Sequence, residues 1–279
     1  MSERDAAAYV HGTTAAEQDR LARLNALLNA RSLDALALTG GEFVLELGAG
    51  LGQMAHGMIA RGASRVVGIE RSAAQIARAR DLARHAAAAV VEAFDLRQGD
   101  ALAPPLAAQE WGAFDVAHAR FILEHVSDPA RVVAVMARAV RPGGRVVLED
   151  DDHAILRLWP EPPGFDRIWK AYERTYDRLG CDPYVGRRLV ALLHEAGLRP
   201  AGNRWLWFGG CAGAGDEQLQ ALAINLREIL RGAEEAIRDA GGLDRLTFEA
   251  GLEALDRWRG RPDATLWYAS AWAEGVRPV

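Results

Sequence analysis

From Phe43 to Glu149 short apolar runs alternate with longer stretches of helical period. The runs are Phe43–Leu47, Arg65–Ile69, Ala93–Gln98, Ala113–Ala119 and Arg145–Glu149, and helices are predicted between them at about 52–61, 72–88 and 128–140. Nearly continuous apolar strands joined through helices predict a parallel sheet covered on both faces. Pro142-Gly143-Gly144 ends the third of these helices and turns the chain. Upstream, Leu21, Leu24 and Leu28 share one face of residues 15–37, with Glu17, Asp19, Arg20 and Arg23 elsewhere, so an amphipathic helix precedes the first strand. Beyond Asp152 the texture changes. Pro160, Pro162 and Pro163 mark an irregular connection, and seven of the eight tryptophans lie at or after position 159. Helices are predicted at about 165–179 and 185–196, a strand at about 203–209, two or three helices between 215 and 258, and a last strand at about 264–273.

The 279 residues exceed the rough 150 of an average domain, which suits an α/β unit carrying insertions. With 50% hydrophobic and 25% charged residues, disordered, collagenous and coiled-coil classes drop out. The formal charge of −5 supplies no basic field for a phosphate backbone, so nucleic acid is not an expected partner. Cys181 and Cys211 make neither a disulfide framework nor a metal-ligand spacing and suit a reducing compartment. Met1 to Asp5 lacks the basic and apolar regions of a signal peptide, and stretches such as Ala86 to Val91 fall far short of the roughly 20 residues that span a bilayer. The expectation is a cytoplasmic protein that does not engage membranes.

Chemistry concentrates at the ends of the first strands. Val44-Leu45-Glu46-Leu47-Gly48-Ala49-Gly50-Leu51-Gly52 is an apolar strand entering a loop with glycine at alternate positions, followed by a helix. Glycine allows positive φ and removes the Cβ that would block a ligand, while a helix start offers unpaired N–H groups. A nicotinamide-binding fold would also begin this way, with G-x-G-x-x-G cradling a pyrophosphate. The G-x-G-x-G spacing, and an acid at Glu46 that would repel a pyrophosphate yet suit an ammonium or sulfonium group, argue for a different cofactor. Glu70 closes the second run twenty residues after Gly50, where a carboxylate can accept both ribose hydroxyl protons, a role common to nicotinamide and adenosyl cofactors. Gly99-Asp100-Ala101 closes the third, where Asp100 can accept from an adenine amino group.

These residues resemble the class I S-adenosylmethionine-dependent methyltransferases of small-molecule and natural-product type. The resemblance extends through Phe114-Asp115-Val116-Ala117-His118-Ala119-Arg120 with its following Phe121-Ile122-Leu123-Glu124-His125, and through Arg138-Ala139-Val140-Arg141-Pro142-Gly143-Gly144. It implies a Rossmann-like α/β fold, with a seven-stranded, mostly parallel sheet flanked by helices, an N-terminal helical segment, and helical insertions that form a cap. One methyltransferase domain would span 1–279, divided into an N-terminal segment 1–40, a cofactor-binding core 41–152 and a substrate-cap half 153–279. It implies S-adenosyl-L-methionine as cofactor, bound by Tyr9, Glu46, Gly48, Ala49, Gly50, Gly52, Gln53, Glu70, Arg71, Gly99, Asp100, Ala101, Ala119 and Arg120. Backbone carbonyls near Gly48 and Ala119 would hold the methionine ammonium. Arg71 stands where many relatives carry an apolar residue, and its aliphatic stem can cover the adenine ring instead.

A sulfonium carries an already activated methyl group, so such a protein mainly aligns an acceptor and excludes water. Where the acceptor is a hydroxyl or carbon acid, a positioned base removes its proton. His153, His125 and Asp152 lead the candidates, with Glu149 and Asp151 beside them, within or near the acidic run Glu149-Asp150-Asp151-Asp152. That run could also suggest a divalent cation, but neighbouring strand positions face opposite ways, and no metal is expected. Trp169, Tyr172 and Tyr176 share one helical side and are candidates to line an acceptor pocket. The expected partner is a small-molecule acceptor for an O, N or C methylation, with association into a homodimer open. The alternatives are a nicotinamide-dependent oxidoreductase and a cofactor-binding relative without catalysis.

Overall fold

The computed structural model describes residues 28–83, 92–213 and 217–279. Among them eight strands form one sheet: β1 (Phe43–Leu47), β2 (Arg65–Glu70), β3 (Phe94–Gln98), β4 (Phe114–Arg120), β5 (Val140–Asp151), β6 (Arg157–Trp159), β7 (Arg199–Cys211) and β8 (Thr265–Val276). The order is β3-β2-β1-β4-β5-β8-β6, with β7 also paired to β8. β1 to β5 run parallel, while β8 is antiparallel to β5, β6 and β7. Four of the five parallel strands coincide with the predicted apolar runs to within one residue, while β5 begins at Val140, five residues before its predicted run, and takes in Pro142-Gly143-Gly144 because its first residue already pairs with Phe114 of β4.

The helices are α1 (28–36), α2 (Gln53–Ala60), α3 (Ala73–Ala83), α4 (Pro129–Ala139), α5 (Phe165–Glu173), α6 (Leu189–Glu195), α7 (Glu217–Gly232), α8 (Glu234–Gly241) and α9 (Arg245–Trp258). The predicted N-terminal helix is seen from residue 28, and its earlier part lies outside the described residues. On one sheet face Leu45, Leu47, Ala117 and Leu148 pack with α4 and α6. On the other, Val44, Val66, Val116 and Val147 pack with α1 and α2. Burial from both sides is why these strands read as unbroken apolar runs. A separate core joins α5 with α7, α8 and α9, and this cap stands over the carboxyl ends of the strands.

The structure departs from the expected seven strands by one. β6 is three residues long, too short to carry a periodic signal, and exists because it pairs with the start of β8. β7 and β8 outrun their predicted limits because their mutual antiparallel ladder supplies backbone partners beyond the apolar positions. The helix predicted at 165–179 stops at Glu173. A tighter turn, Asp177–Leu179, follows and ends at Gly180 with φ 65°.

Candidate active site

β1 delivers the chain into the loop Gly48–Gly52, where Gly48, Gly50 and Gly52 have φ of 72°, 53° and 75°. The amides of Gly48 and Ala49 donate to the Ile69 carbonyl at 2.9 and 3.0 Å, folding the loop toward the end of β2. A Cβ on Gly48 would lie 3.0 Å from Ile122 Cδ1, and one on Gly52 would lie 2.6 Å from Phe94 Cε1. Alternate glycines are therefore required for backbone shape and for space. The Glu70 carboxylate accepts from Gly50 N–H at 3.0 Å and Ser72 N–H at 2.7 Å, which ties the ends of β1 and β2 into one rim.

Two buried oxygens at this rim, Glu46 Oε2 and Gln53 Oε1, have no hydrogen-bond donor. Burial raises the Glu46 pKa to about 8, an effect that nearby Arg120 partly offsets. Carboxylate and amide oxygens wanting donors in a glycine-lined crevice fit the ammonium of an amino-acid-bearing ligand. Asp100 at the end of β3 accepts from Leu102 N–H at 2.8 Å, and Gly99 N–H bonds the Glu70 carbonyl. Glu46, Gly48, Ala49, Gly50, Gln53, Glu70, Arg71, Gly99, Asp100, Ala101 and Arg120 all line one cavity of about 330 Å³. Gly52 and Ala119 do not line it.

The same cavity continues under the cap into a chamber walled by Trp169, Tyr172, Tyr176, Phe208, Leu226 and Tyr268. Glu124, in the short turn after β4, is its polar hub. His153 Nε2 lies 2.9 Å from Glu124 Oε2, Tyr176 donates its hydroxyl to the same oxygen at 3.0 Å, and His125 Nε2 is 3.5 Å from Oε1. Burial alone would raise the Glu124 pKa, but the charges of His125 and His153 and these hydrogen bonds bring it to about 2. His153 is raised in turn, its own burial being outweighed by Glu124. The ring of His153 stacks against Trp169 and Tyr172, with centroids at 5.5 and 5.4 Å, and Trp169 Nε1 donates to the His153 carbonyl.

The residue profile of the methyltransferase domain family matches positions 17–201, well over half of the chain. The chain belongs to the class I S-adenosylmethionine-dependent methyltransferases. It is 40% identical over 116 residues to a ubiquinone biosynthesis O-methyltransferase of Pseudomonas aeruginosa, a match covering 42% of this chain and 47% of that one. It is 31% identical over 194 residues to the 27-O-demethylrifamycin SV methyltransferase of Amycolatopsis mediterranei, covering 68% and 66%. The chain thus spans about half to two thirds of the length of these curated relatives. In fold it is similar to geranyl diphosphate C-methyltransferase from Streptomyces coelicolor A3(2), with a TM-score of 0.53 at 16% identity over 92% of this chain and 80% of that one.

In this chain the four-acid run separates into different tasks, because alternate positions of β5 face opposite sides. Glu149 accepts from Ser270 Oγ at 2.8 Å. Asp150 accepts from the amides of Ile122 and Leu123 at 3.1 and 2.8 Å and so shapes the turn that carries Glu124. Asp151 reaches the chamber. Asp152 does not: it is held by a two-point contact with Arg187 at 2.7 and 2.6 Å, so the sequence-based candidacy of Asp152 as a base finds no support in its position. The sequence pattern does not single out the hub Glu124, although it stands beside the candidate His125. Donor atoms of Glu124, Asp151 and His153 lie within 4.8 Å of one another, the acid pair that the linear run did not reveal. Tyr9 lies outside the described residues. Among the described residues no helix is long and apolar enough to cross a membrane.

Proposed function

We propose that this chain transfers the methyl group of S-adenosylmethionine to a small molecule held in the aromatic chamber. The observation that carries the reading is the continuity of one cavity from the glycine loop to the Glu124–His153 pair. Glu46 and Gln53 would hold the amino-acid end of the cofactor, Glu70 the ribose hydroxyls, and Asp100 the adenine amino group, with Arg71 along the ring. When bound, the cofactor supplies an activated methyl group. The chain aligns the acceptor, keeps water out and moves a proton. His153 is placed to take that proton, with His125 on the far side of Glu124. Trp169, Tyr172 and Tyr176 give the acceptor a flat, apolar seat. The names of the two curated relatives support an acceptor of natural-product or metabolite type. We assign the reaction to the cytoplasm, a reducing medium that suits a chain with only two cysteines.

The test is a metabolite extract incubated with the protein and methyl-labelled S-adenosylmethionine, read by mass spectrometry. A product one methyl heavier than its precursor is expected, lost in His153→Asn while affinity for S-adenosylhomocysteine is kept. Absence of any labelled product, or a melting midpoint raised by NAD and not by S-adenosylhomocysteine, would overturn the reading.

A further inference from the structure

One end of the sheet carries a face of tryptophans. Trp205 of β7 lies opposite Ala271 of β8, Trp207 opposite Ala269 and Gly209 opposite Trp267, while on β6 Arg157 lies opposite Trp267 and Trp159 opposite Thr265. Opposite and alternate positions share a side, so Trp159, Trp205, Trp207 and Trp267 stand on one face. They are 66%, 37%, 56% and 40% exposed. Farther along β8 the same face is covered, with Ala271 and Ala273 in one core with Leu189, Leu192 and Leu193 of α6. The other face of these strands walls the chamber, through Phe208, Leu266 and Tyr268. The tryptophans are thus the back of the chamber wall.

Area, relief and charge together say what covers them. The four residues expose about two whole tryptophan surfaces, on the order of 500 Å² of mostly apolar area. That is high for one patch on a monomer, and two such patches meeting would bury on the order of 1,000 Å², the size at which specific contacts begin. The relief is self-complementary. Gly209 and Gly210 leave a shallow groove of about 410 Å³ beside Trp207 and Trp267, so one patch offers both a projecting ring and a slot for a ring, as a two-fold contact requires. The cations at its rim are turned to the chain's own backbone: Arg31 donates to the Trp207 carbonyl at 2.6 Å, and Arg157 to the carbonyls of Ala154 and Leu156 at 2.6 and 2.7 Å. Arg31 also guards the outer edge of β7 against strand addition, which leaves the face for contact. A lipid surface would take the rings but has no use for the groove.

We propose that the tryptophan face of β6, β7 and β8 is the surface through which two copies of this chain associate about a two-fold axis, each seating Trp207 in the groove beside Gly209 of the partner subunit. The contact lies directly behind Phe208, Leu266 and Tyr268, so association braces the chamber wall from outside. Large exposed aromatic residues at the centre of such a patch are expected to carry most of the binding energy.

Sedimentation equilibrium of the full chain over a range of micromolar concentrations tests this. The wild type is expected at twice the 30.3 kDa of one chain. Trp207→Glu should weaken the dimer at least tenfold while keeping the wild-type circular dichroism and S-adenosylhomocysteine affinity, and Trp159→Glu should act in the same direction. Leu246→Glu, at an apolar position 82% exposed on α9, should remain dimeric. Hydrogen exchange at 205–208 and 266–268 should slow in the dimer relative to Trp207→Glu. A wild type that is monomeric throughout overturns the proposal, whether its tryptophans are open to acrylamide, shielded by the chain itself, or taken up by phosphatidylcholine vesicles. So does a Trp207→Glu protein as dimeric as the wild type, which would place the contact elsewhere.

Discussion

Glu46 and His118 face each other 3.9 Å apart on adjacent strands, yet burial leaves both uncharged at neutral pH: it raises Glu46 to about 8 and lowers His118 to about 3, the latter with help from Arg120 and Arg145. An ammonium brought against Glu46 favours the carboxylate, so cofactor binding should release a proton. Affinity should then rise as pH increases toward 8 and level off above it, and calorimetry in buffers of different ionisation enthalpy reads the proton directly. The same shift acts on stability with the opposite trend. Glu46 has a higher pKa folded, about 8, than its ordinary 4.5, so the folded state binds more protons between those values, and stability from this group falls as pH rises through that window. Glu46→Gln should flatten that slope in urea titrations run at about pH 5 and pH 8. Glu46, Glu70 and Asp100 were legible in the sequence because each sits at the end of an apolar run, where local pattern and location coincide. Glu124 was not, since its importance comes from contacts with His153 and Tyr176, distant in sequence, that only folding creates.

Among the elements, the tight turn Val185–Arg188 sits under the end of β5 and steadies the acids that face the chamber. A Cβ at Gly186 would lie 2.7 Å from the Asp151 carbonyl oxygen and 2.9 Å from that of Asp150, both backbone atoms that cannot swing aside. Gly186→Ala should therefore destabilise the fold by about 1–3 kcal/mol, the usual range for overpacking. It should also impair the chamber more than the cofactor rim, which chemical denaturation and S-adenosylhomocysteine titration of one variant would separate. The parallel strands were legible because burial on both faces writes a continuous apolar run. The short β6, the extended β7–β8 ladder and the break after Glu173 were not, because partner strands and turn geometry decide them rather than periodicity.

For the molecule as a whole, the sheet with its flanking helices and the cap around α5 and α7 to α9 have separate apolar cores, and the cavity opens where they meet. The half of that cavity built from strand ends was foreseeable from spacing. The half built by the cap was visible only as a concentration of aromatic residues, because helical stripes such as Trp169, Tyr172 and Tyr176 serve a core and a binding wall alike. Isothermal titration of the wild type and of Glu70→Ala and Glu70→Gln with S-adenosylhomocysteine tests the central claim most directly. One-to-one binding is predicted, weakened tenfold or more in Glu70→Ala, consistent with about 1.5–3 kcal/mol for hydrogen bonds to a charged group, and weakened less in the isosteric Glu70→Gln. No binding by the wild type, or equal affinity in all three proteins, would contradict it.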